Sequence, residues 1–388
     1  MQTGNFHLTY CTNVHPTESW EETFLALRDN LLPLKERVSP DNDFGVGLRL
    51  SNQASIEILE KNNLQIFQTF LHENGLYVFT LNGFPYGNFH KTRVKEKVYS
   101  PDWATSERYE YTLRLIKILA ELLPDGMEGG ISTLPLSYRF WFDEKKELEA
   151  FYEKAVEQLC LLVAEMAEIY EKTGKQLHLD LEPEPDCLLQ ESSDVIDFFV
   201  NRLIPSAPSE VLIKQHIQVC YDVCHFAVRN EKPWDVFQTF QENGIQVGKV
   251  QISSALKAAI PTNKKERKEL HERLQAFVDP VYLHQTIIVG ADGKKMAYRD
   301  LPDFLNELQE VKGEELRVHF HLPIFFEKKG EILTTQNEII EVLQCLKENA
   351  LSPALEIETY TWDVLPDVLK EDLISSLERE INWLKRKI

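Results

Sequence analysis

The sequence predicts an α/β protein folded as a (β/α)8 TIM barrel, in which parallel strands alternate with helices. Nine short apolar runs along the 388 residues have the period-two alternation of a strand, and helical segments separate them. Three of these runs end on an acidic residue. In a parallel barrel the carboxyl ends of the strands converge on one mouth, so acids at strand ends predict a shared site.

The first half of the chain repeats a unit of strand, loop and helix. Its predicted strands are Phe6–Thr12, Phe44–Leu50, Tyr77–Leu81 and Gly130–Leu134. Thr17 or Ser19 precedes the first helix and Ser51 precedes the second, where a side-chain oxygen caps free backbone N–H groups. Such a repeat is typical of a parallel sheet joined by crossover helices.

The three acidic strands lie in the second half. They fall in 176–186, 216–225 and 354–362 and place Glu182, Asp222 and Glu358 at their ends. In each run the acid shares a face with polar residues, while apolar residues occupy the other face. Pro183 stops the first of these strands, because proline offers no N–H to the ladder. All three acids are therefore predicted to point inward.

Two further strands are predicted at Val247–Ser253 and Arg317–Leu322, which raises the count to nine. Closure of the barrel needs eight. One strand is therefore extra, and the sequence does not decide between those around Gly45, Val250 and Val318.

The organisation is predicted to be a single domain over residues 1–388. Residues 284–299 form a predicted hairpin insertion, with its turn at Gly290–Gly293. The chain shows no repeated block, low-complexity segment or interdomain linker. A barrel with insertions and long loops is therefore the simplest assignment.

Composition and charge restrict the partners. The formal net charge of -20 disfavours nucleic acid, because a phosphate backbone binds clustered positive charge. The N-terminal segment lacks a signal-peptide pattern, and no segment reaches the roughly 20 apolar residues of a membrane helix. These features predict a cytoplasmic protein that binds a small molecule and keeps its six cysteines reduced. The oligomeric state stays open.

The strand-end acids are predicted to hold a divalent metal. Buried carboxylates are costly unless something pairs them, and oxygen ligands suit magnesium, manganese or cobalt, with zinc suitable if histidine dominates. The expected ligands are Glu182, Asp222, Glu358 and a neutral fourth residue, either Gln251 or one of His319 and His321. The alternative is that the acids pair with lysine or arginine at the rim of the barrel.

Such a site suits proton transfer next to a carbonyl group. A metal there polarises two substrate oxygens and stabilises an enediolate, while Glu182 and Glu358 act as the acid/base pair. His225, three residues after Asp222, is predicted to bind a substrate hydroxyl or a second metal; a simple helix cap is the alternative. The same ligands also suit activation of water for hydrolysis, so the metal alone does not fix the reaction.

Residues that follow predicted strands are candidates for substrate binding. His15, Asn82 and Arg139 each come shortly after a strand, from where a side chain reaches the mouth. A basic run from His90 to Lys97 follows the third strand. It is either a lid that meets an anionic substrate or a solvated loop.

The motifs around these acids resemble the xylose isomerase-like superfamily of barrels, which includes sugar isomerases, epimerases and endonuclease IV. The matching motifs are Leu181-Glu-Pro-Glu184, Asp222-Val-Cys-His225 and Leu355-Glu-Ile-Glu-Thr359. The resemblance implies metal binding by Glu182, Asp222 and Glu358, with His225 at the substrate or a second metal. The superfamily usually has a histidine on the intervening strand, where this chain has Gln251.

A closer resemblance covers most of the chain. The segments Leu8–Pro16, Leu81–Gly87, Asp180–Pro185 and Glu358–Trp362 are similar to the ebo-cluster metabolite traffic protein (EboE) family. That family is associated with bacterial operons that move secondary-metabolite precursors to the periplasm. The resemblance implies a role in metabolite traffic with other ebo-operon proteins as partners, and it leaves the substrate open.

Three functions are compatible with these features. The first is a metal-dependent isomerase or epimerase that acts on, or binds, a small polyhydroxylated metabolite. The second is a catalytically inactive metabolite-binding or traffic protein on the same barrel, which Gln251 at the usual histidine position favours. The third is a metal-dependent phosphodiesterase of the endonuclease IV type, which the net charge of -20 disfavours.

Overall fold

A computed structural model describes residues 1–87, 93–329, 332–349, 351, 354–366 and 372–388. His90 and Lys91 of the predicted basic run lie outside these ranges. The strands are β1 Gln2–Thr3, β2 Phe6–Tyr10, β3 Phe44–Arg49, β4 Leu76–Asn82, β5 Glu128–Thr133, β6 Gln176–Leu181, β7 Ile217–Asp222, β8 Val247–Ile252, β9 Leu256–Ala259, β10 Thr286–Val289, β11 Lys295–Tyr298, β12 Glu315–Val318, β13 Lys328–Lys329, β14 Ile332–Thr334 and β15 Ala354–Ile357.

The α-helices are α1 Trp20–Val38, α2 Asn52–Glu57, α3 Asn63–Glu73, α4 Ser106–Leu122, α5 Lys145–Thr173, α6 Ser192–Phe198, α7 Ile204–Ser206, α8 Glu210–His216, α9 Val223–Val228, α10 Pro233–Glu242, α11 Lys264–Leu274, α12 Leu301–Glu307, α13 Gln336–Asn349 and α14 Leu373–Lys385. Short 3₁₀ turns include Lys95–Tyr99 and Arg139–Trp141. Within the described ranges, no helix combines the length and the apolar character that crossing a bilayer requires.

The long sheet is a parallel barrel with a short antiparallel strand at its edge. Its hydrogen-bonded order is β1-β2-β15-β8-β7-β6-β5-β4-β3, and β1 alone runs antiparallel to its neighbour. A parallel bridge between Cys11 and Gly47 joins the two ends of the row β2 to β3. Thr9 reinforces this seam, because its hydroxyl donates to Gly45 O at 2.8 Å and accepts from Gly47 N at 2.9 Å. The predicted (β/α)8 class is therefore confirmed.

The strand around Val318 is the one that lies outside the barrel. It is β12, and it belongs to an antiparallel sheet in the order β11-β10-β12-β9-β14-β13. This sheet is built between β8 and α13 and contains the β10–β11 hairpin, which turns at Gly290–Gly293. The strand ends at Val318 and not at Leu322 as predicted, because its neighbour β10 begins opposite it at Thr286.

The inserted sheet and the barrel share a hydrophobic core. Phe320 beside the inserted sheet and Leu355 of β15 belong to the same cluster of buried apolar side chains. A shared core is what distinguishes a single domain from two packed ones. This continuity supports our proposal that residues 1–388 form one domain.

The interior of the barrel is polar below its mouth. Asp180 is fully buried, and glycine is required at two facing positions: an added Cβ would lie 2.3 Å from Asp180 Oδ2 at Gly130 and 2.1 Å from Oδ1 at Gly248. Above it, Lys249 Nζ and Glu356 Oε2 form an ion pair of 2.6 Å with no exposure of either side chain. Because side chains alternate along a strand, the next inward positions on β6 and β15 are those of the predicted acids.

Glu380 joins the last helix to the rest of the fold. Its Oε1 accepts from Ile324 N at 3.0 Å and from Thr359 Oγ1 at 2.8 Å, and the side chain is fully buried. Burial raises the pKa of Glu380 from 4.5 to about 7. Between about pH 4.5 and pH 7 the folded protein therefore keeps Glu380 protonated, whereas the unfolded chain has lost that proton. The stability that comes from the protonated Glu380 is complete below about pH 4.5 and is lost as the pH rises towards 7.

We expect Glu380→Gln to remove this part of the pH dependence. Between pH 4.5 and pH 8 the free energy of unfolding of the wild type should fall by about 3 kcal/mol more than that of the variant. Urea unfolding at the two pH values measures the difference. Glu378→Gln is the matched control on the same helix, because the Glu378 carboxylate pairs with Arg37 at the surface. A wild-type profile in Glu380→Gln would contradict the prediction.

Candidate metal and active site

Glu182, Asp222 and Glu358 lie together at the mouth of the barrel. One carboxylate oxygen of each comes within 4.8 Å of the others. Glu182 directly follows β6, Asp222 ends β7 and Glu358 directly follows β15, so different strands deliver the three acids. All three are buried, with exposed fractions of 3%, 0% and 4%.

Neutral donors orient these carboxylates. Asn13 Nδ2 donates to Glu358 Oε1 at 2.7 Å, and Asn82 Nδ2 donates to the same oxygen at 3.3 Å. Ser253 Oγ donates to Asp222 Oδ1 at 2.7 Å, and the Asp222 side chain also caps the N-terminus of α9. These contacts hold the acids in place without neutralising their charge.

Two oxygens of the group, Glu182 Oε2 and Asp222 Oδ2, are buried and have no hydrogen-bond partner among the described residues. The ion-pair contacts that the described residues make with these two acids come from His225, and none comes from lysine or arginine. The alternative of a simple rim ion pair is therefore not seen. Leaving such oxygens without a partner is costly, and a divalent cation with oxygen ligands removes that cost. The residues present fit a metal.

The pKa values differ within the group. Burial and then the charge of Asp222 raise the pKa of Glu182 well above its usual range, and burial and then the charge of Glu182 do the same for Glu358. Burial also acts to raise the pKa of Asp222. The charges of His225 and His321 act to lower it and contribute to a pKa below the usual value. The pKa values of the two glutamates thus shift in the same direction, and that of Asp222 shifts in the opposite one.

A narrow cavity of about 70 Å³ opens above the acids. Its polar lining residues include Asn13, Asn82, Glu182, Glu184, His225, His319 and Glu358, and its apolar and tyrosine lining residues include Phe84, Val98, Tyr282 and Tyr360. This volume holds a few water molecules. A sugar-sized metabolite fills a larger volume than this.

No protein-family model and no curated protein matches the sequence. Solved structures do. A xylose isomerase-like TIM barrel protein from Mycobacterium smegmatis, in complex with magnesium, matches with a TM-score of 0.53 and 11% identity over 98% of this chain and 96% of that chain. A D-tagatose 3-epimerase-like protein matches with a TM-score of 0.51 and 13% identity over 98% of this chain and 97% of that one.

This chain has the xylose isomerase-like TIM barrel fold. At these identities the likeness shows the fold alone. None of these comparisons supports the closer resemblance to ebo-cluster traffic proteins, which stays a prediction.

Of the four predicted substrate-binding residues, the xylose isomerase-like barrel places two at the cavity and two elsewhere. Asn82 and His225 line the cavity together with Glu182 and Glu358. His15 and Arg139 are not among the described residues that line it. The His15 ring bonds a tyrosine hydroxyl of β2 at 2.9 Å, and Arg139 Nε donates to Cys187 O at 3.1 Å. Both follow a strand as predicted, but their loops turn them towards other protein groups.

The structure treats the two alternatives for the fourth ligand, Gln251 and the histidines His319 and His321, differently. Gln251 Oε1 accepts from Cys220 Sγ at 3.3 Å inside the xylose isomerase-like barrel, and Ser253, two residues further on, is the residue that bonds Asp222. His321 has a ring nitrogen within 4.8 Å of an Asp222 oxygen. It reaches the mouth from beyond the end of β12, outside the barrel strands.

Three cavity residues were not singled out from the sequence. Asn13 lies in the short turn Thr12–Val14 after β2, and its place just beyond a strand was its signal. Glu184 closes the Leu-Glu-Pro-Glu motif, and burial raises its pKa to about 8. Tyr99 donates its hydroxyl to Glu184 Oε1 at 2.8 Å. It ends the 3₁₀ turn Lys95–Tyr99, in a stretch before α4 where the sequence shows no helical or strand period.

Two segments that line the cavity are fastened together by Lys95. Val94 N and Lys95 N donate to Val281 O at 3.2 and 3.1 Å. Lys95 Nζ donates to Asp300 Oδ2 and to Tyr282 O, both at 2.6 Å. This lysine of the basic run thus has its ammonium engaged by protein oxygens.

We expect Lys95→Met to weaken the contact between the segments around Lys95 and Tyr282, which line the cavity. If the interaction free energy between them falls by about 1–2 kcal/mol, a chelator should remove a bound cation about 5–30-fold faster. Stopped-flow mixing of cobalt-loaded protein with EDTA measures the rate. Lys97→Met is the control, because Lys97 lies exposed in the same turn. Equal rates in the two variants would count against the fastening role of Lys95.

Proposed function

We propose that the protein is a metal-dependent isomerase or epimerase of a small polyhydroxylated carbonyl compound. The observation that carries this proposal is the group of three buried carboxylates from three strand ends, in which two oxygens accept no hydrogen bond from the described residues. Such a set suits magnesium, manganese or cobalt. A divalent cation bound there polarises substrate oxygens and makes the neighbouring C–H group more acidic.

Glu182 and Glu358 are the acid/base pair in this proposal. One removes a proton from the carbon next to the carbonyl, and the other returns a proton. In an epimerase the proton returns to the opposite face of the same carbon, and in an isomerase it returns to the neighbouring carbon. Asn13 and Asn82 orient the Glu358 carboxylate for this transfer. Asp222, with its lowered pKa, stays ionised as a ligand.

A hydrogen-exchange experiment tests the proposal. The cation-loaded protein is incubated in D₂O with ketopentoses, ketohexoses and cyclic polyhydroxy ketones, and NMR detects deuterium on the carbon next to the carbonyl. Glu358→Gln should abolish the exchange. Glu128→Gln should keep it, because Glu128 is exposed at the opposite end of the barrel. No exchange by the loaded wild type across the panel would refute turnover of these compounds.

The second candidate is a metabolite-binding protein without turnover, and one observation favours it. β8 carries Gln251 where the superfamily resemblance implies a histidine, and Gln251 Oε1 accepts from Cys220 Sγ, while Ser253, which follows the strand, bonds Asp222. We further propose, from the sequence motifs, that the chain is a cytoplasmic member of the ebo-cluster traffic (EboE) family and passes a metabolite to other ebo-operon proteins. Thermal stabilisation by a compound of the panel without deuterium exchange would favour binding over catalysis.

A further inference from the structure

The amino ends of the barrel strands, opposite the mouth, surround a cavity of about 470 Å³. This volume lies in the range of small-molecule pockets, about 300–1,000 Å³, whereas the cavity at the mouth lies well below it. His178 of β6 and Gln218 of β7 line the cavity, and Phe237 and Phe240 of α10 form part of its apolar wall. Barrel interiors are usually filled by branched apolar side chains, so these polar residues depart from that pattern.

Asp180 holds the His178 ring. His178 Nδ1 lies 2.7 Å from Asp180 Oδ1, and the two side chains are 5% and 0% exposed. A carboxylate oxygen accepts, so Nδ1 carries a proton and Nε2 is the nitrogen left for another partner. Nε2 forms no hydrogen bond within the described part of the chain. Unlike Asp180 Oδ2, it is not fully buried, and the surface that it retains faces the cavity that His178 lines.

Two glycines make room for this ring. An added Cβ would lie 2.4 Å from His178 Cε1 at Gly130 of β5 and 2.7 Å from it at Gly248 of β8. Both distances are far below a carbon–carbon contact distance of about 3.5–4.0 Å. Any other residue at either position would therefore displace the ring, so three strands together fix His178 at the wall of the cavity.

The carboxylate of Asp180 favours a hydrogen-bond donor at His178 Nε2. Burial acts to lower the pKa of His178. The charge of Asp180 and the hydrogen bond to it act to raise this pKa, which lies above its usual value of 6.5. The protonated ring carries a hydrogen on both nitrogens, so Nε2 then presents an N–H group to the cavity.

Gln218 supplies a hydrogen-bond acceptor to the same cavity. Its Nε2 donates to Gln215 O at 3.1 Å, which fixes the orientation of the amide because a carbonyl only accepts. Gln218 Oε1 has no hydrogen-bond partner among the described residues, although the side chain is only 6% exposed. The strand register pairs Gln218 with Asp180, two residues along β6 from His178. Donor and acceptor therefore lie on neighbouring strands at the same end of the barrel.

We propose that this cavity is a second small-molecule site, for a flat heterocycle with a lactam edge, and we call it the lactam site. A lactam carries a C=O next to an N–H, and these two groups match His178 Nε2 and Gln218 Oε1. The faces of such a ring pack against Phe237 and Phe240, as in pockets where a few placed polar groups stand among apolar ones. Both buried polar groups then gain the hydrogen bond that they lack in the protein alone. The lactam site uses none of the residues at the mouth, so it does not depend on the proposed reaction.

Isothermal titration calorimetry of the full-length protein with 2-quinolone, a bicyclic lactam, tests the lactam site. The analogue 1-methyl-2-quinolone keeps the carbonyl and the rings but has no N–H, so it should bind about 10-fold more weakly or worse. Gln218→Met, which removes the acceptor, should weaken the binding of 2-quinolone by a similar factor. His178→Asn should do the same, because it keeps a donor for Asp180 and removes Nε2. Gln65→Met and His72→Asn are the matched controls, since both residues are exposed on α3.

Equal affinities of the wild type for 2-quinolone and its methylated analogue overturn the lactam site, and so does wild-type affinity for 2-quinolone in either variant. A wild type that binds none of 2-quinolone, 2-pyridone and hypoxanthine overturns it as well. If His178→Asn does not fold, the comparison of the two quinolones in the wild type and in Gln218→Met decides. Deuterium exchange at the mouth plays no part in this test, so a failure of the proposed reaction and a failure of the lactam site are separate results.

Discussion

Glu182→Gln lowers the affinity of the carboxylate group for Mn²⁺ by about 100-fold or more. Loss of a group that merely orients a ligand costs about 10–100-fold, and the loss of a charged ligand costs at least as much as the upper end of that range. Glu182 has no lysine or arginine partner among the described ion pairs, and its Oε2 has no donor among the described residues, so the protein itself cannot compensate. Isothermal titration calorimetry of the metal-free protein measures the affinity.

Glu358→Gln should have the same effect, because its carboxylate belongs to the same group. Glu128→Gln is the matched control at the other end of the barrel and should bind manganese as the wild type does. The substitutions conserve side-chain volume, and the thermal stability of each metal-free variant checks that the barrel has formed. Wild-type affinity in both Glu182→Gln and Glu358→Gln would rule out this metal site.

Lys249→Met destabilises the protein by about 3–5 kcal/mol. Lys249 Nζ lies 2.6 Å from Glu356 Oε2 and 2.9 Å from Ser132 Oγ in the middle of the barrel. Neither side chain of the ion pair is exposed, so removing the lysine leaves a buried carboxylate without its partner. Chemical denaturation monitored by circular dichroism measures the loss.

The double variant Lys249→Met/Glu356→Leu should recover most of that stability, because replacing a whole buried pair with apolar side chains is often nearly neutral. Lys154→Met is the surface control. Lys154 pairs with Glu157 at 2.8 Å on the outside of α5, and its loss should change the stability little. A loss below about 1 kcal/mol in Lys249→Met would show that the pair does not stabilise the barrel.

The acids were predictable because each depends on a local pattern. Glu182, Asp222 and Glu358 each lie in step with inward-facing residues of their own strand, and the parallel arrangement then brings the strand ends together. The loop residues were less predictable. Asn13 and His15 lie two residues apart after β2, yet Asn13 bonds Glu358 and His15 bonds a tyrosine. Loop conformation decides between them, and it depends on contacts that no periodicity records.

The arrangement of the inserted sheet was also not predictable from local periodicity. β9 and β14 are short strands of three or four residues that pair with partners distant in the chain. The run around Val318 has the alternation of any half-buried strand, so its pattern did not reveal which sheet it joins. That choice brings His319 and His321 to the mouth, next to His225.

By itself the sequence determined the barrel class and the inward direction of the three acids, because strand alternation and helix capping are local properties of the chain. Only the tertiary structure decided that β12 leaves the barrel, that Ser253 and not Gln251 bonds Asp222, and that three histidines meet. Those features depend on which distant segments pair and pack. The free energy that stabilises them comes from contacts between segments, so the sequence pattern of a single segment does not reveal them.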